Sequence, residues 1–307
     1  MTYPDIFFTP EYAKVFEKTG FGGEWVTLNS NTGIDSVVYN YYVRSIPNTE
    51  YFDIISPYGY SGILNANPDY LKSFHDHCLH NKIVSEFCRL HPFIENHKQL
   101  PQENVVKNGI VYYIDLTKPF KYEYSVEKHI HKAIRNGIEV RNTDVKEFAD
   151  LYYQTMQRNK AISEYYFTLE TLEELCNLKG SQLLTAWYKG KIVSGRIIIS
   201  STDYAHDFLA GSTLEGNYLC AGHLLLDEAI RWSKNKGCKI FNLGGAKTET
   251  HGSFKWSFSH MTKPFYTYRK VHNQRVYDEL SKGIQTDYFP AYRNDRHTTL
   301  GSYENNV

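Results

Sequence analysis

Asp207 and His206 stand side by side in residues 204–211, a stretch whose composition predicts a β-strand. Adjacent strand residues face opposite sides, so one of the two points inward, and either side chain could serve there as a general base. A surface position or a satisfied core contact is the alternative for each. Arg89 and His91 lie two apart in another predicted strand, residues 83–91, and so share a face. The arginine offers a bidentate fork to phosphate or carboxylate, and the histidine could orient it or move a proton. An ordinary ion pair is the alternative for Arg89, with Asp53 as its natural partner. A third predicted strand, residues 51–56, runs into Pro57-Tyr58-Gly59-Tyr60-Ser61-Gly62, where the glycines let the backbone turn sharply beside a ligand. The hydroxyls of Tyr58 and Tyr60 suit sugar or amide groups, unless both rings simply pack. Arg135 and Lys132 share a predicted helix, residues 125–136, either facing a cleft or forming a solvated face.

Other chemistries find less support. No Ser-His-Asp or Cys-His motif is recognisable. His75, His77 and His80 sit on a predicted helix from 67 to 81, but their spacing spreads the rings over different faces, so no metal site is expected. The five cysteines are scattered and never spaced C-x-x-C, which suggests neither a disulfide framework nor a zinc knuckle and fits a reducing, cytoplasmic setting. With 34 Lys and Arg against 34 Asp and Glu, the 307-residue chain carries no net field for holding DNA or an anionic membrane nonspecifically. No stretch approaches the roughly 18 apolar residues of a bilayer span, and residues 1–16 lack a leader pattern, so an unprocessed, soluble protein is expected.

These residues must be positioned by two halves. In the first, a hairpin (24–28 and 37–44, turning at 29–33) precedes strand 51–56, the helix from Asn67-Pro68, and strands 83–91 and 109–116. Pro119 and the polar residues after it read as a linker. Beyond the helix ending at Gly137 come strand 138–141, helices 144–160 and 168–179, strands 182–188, 192–200 and 204–211, and an amphipathic helix 219–236. Strand 239–243, a short helical stretch near Ser253, strand 265–271 and a helix 274–282 complete the order. Residues 295–307 read as a frayed polar tail.

The order of the second half is similar to that of the GNAT (N-acetyltransferase) fold. More widely, residues 51–280 resemble the Fem-like acyltransferases, on four segments: Asp53-Ile-Ile-Ser-Pro-Tyr-Gly-Tyr-Ser-Gly62, Arg89-Leu-His-Pro92, Ile134-Arg-Asn-Gly-Ile-Glu-Val140, and Phe241-Asn-Leu-Gly-Gly245 with Phe254-Lys255. The resemblance implies an α/β protein of two tandem GNAT-like domains with mixed sheets flanked by helices: a diverged domain at 1–122, a second at 123–290 and a polar tail at 291–307. It implies a substrate held between them, and Lys255 near the transferred carbonyl, where its charge would steady the developing oxyanion. Without that resemblance Lys255 reads as a solvated lysine on a short helix. Phe254 would wall the donor. Gly244 and Gly245 end a strand where a splayed pair would open a cleft to their backbone groups.

The donor is expected to be a thioester, acyl-CoA or an acyl carrier protein, with no cofactor bound permanently. Yet the segment Leu214-Glu-Gly-Asn-Tyr-Leu-Cys-Ala-Gly222 lacks the usual CoA pattern, leaving Tyr218, Leu219, Cys220 and Ala221 at a helix start to meet phosphate, with Glu215 opposing. The expected acceptor is an amine, or else a hydroxyl, of a cell-envelope glycan precursor. Aminoacyl-tRNA as donor to a peptidoglycan precursor is the alternative, and a non-catalytic nucleotide-sugar binding protein is the second.

Overall fold

A computed structural model describes residues 3–29, 37–141, 143–246 and 248–296. The expected turn at 30–33 and the tail from 297 onward lie outside them. From the N-terminus, α1 (Pro10–Phe16) starts with proline at its first position and the Thr9 hydroxyl accepting from the Tyr12 N–H. There follow β1 (Glu24–Asn29), β2 (Val38–Ser45), β3 (Phe52–Ile55), α2 (Pro68–His80), β4 (Ile83–Arg89) and β5 (Val105–Asp115). The second half supplies α3 (Tyr124–Arg135), β6 (Glu139–Arg141), α4 (Val145–Arg158), α5 (Leu169–Asn177), β7 (Ser181–Tyr188), β8 (Lys191–Ser200) and β9 (Tyr204–Ser212). It ends with α6 (Leu214–Tyr218), α7 (Ala221–Asn235), β10 (Ile240–Gly244), α8 (Glu249–Phe258), β11 (Thr262–Val271) and α9 (Gln274–Leu280).

The chain forms two compact units, each discontinuous in sequence. One comprises Met1–Ile6 and Val111–Lys263; the other comprises Phe7–Ile110 and the chain from Pro264. In the first, the strand order is β5-β10-β9-β8-β7-β6, with β9 and β10 parallel and the other pairs antiparallel. In the second the order is β1-β2-β3-β4-β11, with β3 and β4 the parallel pair. A parallel pair needs a crossover, supplied by α6 and α7 in one unit and α2 in the other. The units therefore repeat one plan, a mixed sheet flanked by helices. Their discontinuity has a simple cause: β5 follows β4 in sequence but pairs with β10, while β11 follows β10 but pairs with β4.

In the first unit α7 lays Leu225, Leu226, Ala229 and Ile230 on a sheet face that includes Ile198, Ala205 and Phe241, all buried. Each Leu, Ile or Phe among them contributes on the order of 1.5–3 kcal/mol by leaving water. The helix is shorter than its apolar stripe suggested. Cys220 adopts a left-handed conformation (φ +61°) that separates α6 from α7, so Leu219 and Cys220 belong to the turn. The second unit has an aromatic core, in which Tyr39 and Tyr41 meet Phe74 edge-on. The polar tail expected from 291 is structured as far as Arg296, in a 3-10 turn that buries Arg293. No helix among the described residues is long and apolar enough to cross a membrane.

Candidate active site

The β9/β10 ladder holds only three pairs, Tyr204 with Ile240, Ala205 with Phe241 and His206 with Asn242. It then stops, although β9 runs on to Ser212. Local chemistry on β10 explains the break: the Asn242 side-chain oxygen accepts from the Gly244 N–H at 2.9 Å, and Gly244 takes a φ of +74°. The chain then reaches α8, capped by the Thr248 hydroxyl accepting from the His251 N–H. Near the end of α8, Lys255 turns back and donates from Nζ to the Gly245 carbonyl oxygen.

Charged groups converge there. Asp207, on β9, forms an ion pair with Arg196 on β8, and both side chains are largely buried. Asp207 Oδ1 and Arg196 Nε are buried with no hydrogen-bond partner among the described residues. Burial pushes the Lys255 ammonium down to about 8; the Asp207 carboxylate acts against that shift and the Arg196 guanidinium adds to it. A desolvated cation can steady a developing oxyanion, and a carboxylate with an oxygen to spare can receive a proton.

His206 takes no part on this face. Its Nε2 lies 2.9 Å from Asp5 Oδ2 and its Nδ1 3.1 Å from Asn242 Nδ2, while Asp207 pairs with Arg196. Strand alternation thus separates the two expected bases, and the one placed beside Lys255 is Asp207. Phe254 stands edge-on to His223 at 5.0 Å. His223 also stacks on Phe258 and approaches His129, and burial, with His129 and Arg196 adding, pushes it down to about 4. At neutral pH it is an uncharged imidazole.

Of the segment Tyr218 to Ala221, only Tyr218 is exposed; Leu219, Cys220 and Ala221 are buried. Lys132 reaches it from α3, donating to the Tyr218 carbonyl at 2.5 Å and lying 4.5 Å from the ring centre. Arg135 is exposed. In the other unit, Tyr58 packs against Phe16 and Phe21, and Tyr60 against Phe7, His91 and Phe265. A Cβ on Gly59, whose φ is +92°, would lie 2.4 Å from the Phe7 ring. His91 is buried just past the end of β4, its Nδ1 accepting from the N–H groups of Phe93 and Ile94. Arg89 lies over the Phe87 ring. Asp53 is not its partner: both carboxylate oxygens are taken by Arg44 and Arg293.

Arg196 and His223 were not singled out in the sequence as site residues. Arg196 had a signal, as the one charge in the apolar strand 192–200, where a buried cation demands a counter-charge. His223 had none, because a histidine in an amphipathic helix reads as its polar edge.

No family model matches the chain. It is 22% identical over 144 residues to the UDP-N-acetylmuramoylpentapeptide-lysine N(6)-alanyltransferase of Weissella viridescens, a match covering 46% of this chain and 43% of that enzyme. The matched part is thus less than half of the relative. Among solved structures, FemX is similar with a TM-score of 0.67 over 90% of this chain and 99% of that one, at 11% identity. The chain resembles the Fem-like acyltransferases. The C-terminal domain of a putative lysylphosphatidylglycerol synthetase from Agrobacterium fabrum has a TM-score of 0.59 at 14% identity, covering 93% of this chain and 92% of that one. L-PGS from Bacillus licheniformis has 0.58 at 14%, covering 90% and 96%. The expected fold, tandem acyltransferase-like units with mixed sheets, is the one observed.

Proposed function

We propose that this chain moves an aminoacyl group from an aminoacyl-tRNA to an amine of a peptidoglycan precursor. The observation that carries the reading is the buried Lys255 ammonium, held by Gly245 where the β9/β10 ladder stops and within the field of Asp207 and Arg196. The names of the alanyltransferase and of the lysylphosphatidylglycerol synthetases each contain an aminoacyl group, which favours that cargo over a simple acyl thioester. The absence of the usual CoA pattern from residues 214–222 supports the same choice. A tRNA-borne donor places the reaction in the cytoplasm.

In the proposed reaction the acceptor amine attacks the ester carbonyl, the C–N bond forms, and negative charge grows on the carbonyl oxygen. Lys255 neutralises that charge, a contribution of the order of 3–4 kcal/mol for a single donor of this kind. Asp207 Oδ1 takes the amine proton and passes it to the ribose oxygen as the ester C–O bond breaks, so the ribose leaves as a hydroxyl and the carboxylate is restored. Burial of the Lys255 side chain keeps the ammonium poorly hydrated, so its charge acts strongly on the growing oxyanion.

The test is incorporation of a labelled amino acid, supplied as aminoacyl-tRNA, into a UDP-linked muramoyl pentapeptide. Incorporation abolished by ribonuclease and by Lys255→Ala supports the proposal; incorporation from acyl-CoA instead assigns a thioester donor. Binding of the precursor without turnover leaves a binding protein. A lipid headgroup as acceptor is the second reading, favoured by the likeness to L-PGS, and labelled phospholipid extracted from vesicles separates it.

A further inference from the structure

The unit that lacks Lys255 holds a cavity of about 420 Å³ in a glycine-rich bend, with Arg44 and Arg293 in its wall. These arginines come from β2 and from the 3-10 turn near residue 293, and they share one fully buried carboxylate. Arg44 Nε lies 2.8 Å from Asp53 Oδ1 and Arg293 Nε lies 2.7 Å from Asp53 Oδ2, while Arg293 Nη2 donates to the Ser45 carbonyl at 2.7 Å. Each Asp53 oxygen thus accepts from one Nε group. Both Nη groups of Arg44 and the Nη1 of Arg293 keep their donors without a hydrogen-bond partner among the described residues.

Two guanidinium charges against one carboxylate leave a positive charge on side chains only 14% and 7% exposed. A partly buried surplus cation is costly unless an anion answers it. Glu24 also lines the cavity, but it is exposed and pairs with neither arginine. The bend is shaped to keep the arginines in place: a Cβ on Gly23 would lie 2.8 Å from Arg44 Cγ and 2.6 Å from the Val43 carbonyl oxygen. Guanidinium forks set side by side match the oxygens of a phosphate. The space exceeds that of a water molecule many times over.

We propose that this cavity is a binding site for a phosphate group carried by a small molecule, separate from the transfer chemistry and independent of it. The full-length protein, labelled with nitrogen-15, is titrated with inorganic phosphate, glycerol 3-phosphate and acetate, each against sodium chloride at equal ionic strength, while the Nε–Hε signals of Arg44 and Arg293 are followed. The expected result is saturable movement of both signals with phosphate and with glycerol 3-phosphate. Tighter binding of the ester assigns a phosphorylated small molecule as the occupant, whereas tighter binding of inorganic phosphate overturns the carried-group part of the proposal. Arg44→Gln should weaken binding at least tenfold. Ser45→Glu, which sets a competing anion at the exposed rim without removing an arginine, should do the same if Arg44→Gln does not fold. Movement that tracks ionic strength alone overturns the site, and acetate saturating as tightly as phosphate overturns its phosphate character. None of these readings uses transfer activity, so failure here and failure of the aminoacyl-transfer reading are distinguishable.

Discussion

Gly244 and Lys255 are fitted to one another: a Cβ on the glycine would lie 3.4 Å from the lysine Nζ, over a backbone already at φ +74°. Gly244→Ala therefore acts twice. A left-handed conformation costs a side chain about 1–2 kcal/mol, and the new methyl comes into van der Waals contact with the ammonium, filling the space on that side of it. We expect kcat/KM for aminoacyl transfer to fall at least tenfold with only a modest loss in Tm. A variant that loses stability yet keeps full activity would show that the lysine need not stand at this point.

Lys255 should trade stability for function. Its folded value of about 8 lies below the ordinary lysine value, so between about 8 and 10.5 the unfolded chain binds more protons than the folded one. Stability consequently rises with pH across that window, and below pH 8 the buried ammonium imposes its full cost. Lys255→Met should raise stability at pH 7, by something like 1–3 kcal/mol at about 1.4 kcal/mol per pKa unit, with the gain gone by pH 10.5. The same change should reduce transfer by about a hundredfold or more. Wild-type activity should decline above pH 8 as the ammonium deprotonates. Urea unfolding at pH 7 and 10 beside a pH–rate profile checks all three, and a methionine variant less stable at pH 7 refutes the assignment of cost.

Asp207 and His206 make a matched pair of tests, since they are neighbours on opposite faces. Asp207→Asn keeps the shape but removes the charge that offsets Lys255 and Arg196, so kcat should fall by about 10²-fold or more, and the loss of the buried Arg196 counter-charge should cost about 3–5 kcal/mol of stability. His206→Ala leaves Asp5, fully buried, without its 2.9 Å partner and should cost about 2–4 kcal/mol. Circular dichroism melts and initial rates on both variants separate the roles. Activity lost in a fully stable His206→Ala protein would return the histidine to the catalytic group.

Much of this was legible before the structure. Period-2 alternation alone says that His206 and Asp207 cannot both face one site. Asn67 and Pro68 announce the start of α2, and Asn67 does cap it, accepting from the Tyr70 N–H. What stayed hidden is long-range. Nothing near Asp53 in sequence points to Arg293, which lies 240 residues away in a polar stretch that reads as a tail. The exchange of β5 and β11 is equally invisible, because each strand's pattern records burial and not the identity of its neighbour. The break at Cys220 escaped because a lone cysteine carries no turn signal, and its left-handed backbone is imposed by packing.

The pH dependence of folding should carry the mark of His223. Its folded value of about 4 lies below the ordinary histidine value, so the unfolded chain binds the extra proton between about 6.5 and 4. Its contribution is complete above pH 6.5 and is lost as pH falls through that interval. The groups facing it give no compensation: His129 and Arg196 oppose a second positive charge, and Phe254 and Phe258 offer only ring faces and edges. Discounted for partial exposure, the loss should be about 2 kcal/mol between pH 7 and 4.5. His223→Leu, which fills similar space and carries no proton, should remove that part of the acid sensitivity while leaving stability at pH 7 within about 1.5 kcal/mol of wild type. Urea midpoints for both proteins at pH 7 and 4.5 measure the difference directly, and equal acid losses in the two would mean that the imidazole takes up its proton as readily in the folded chain as in the unfolded one.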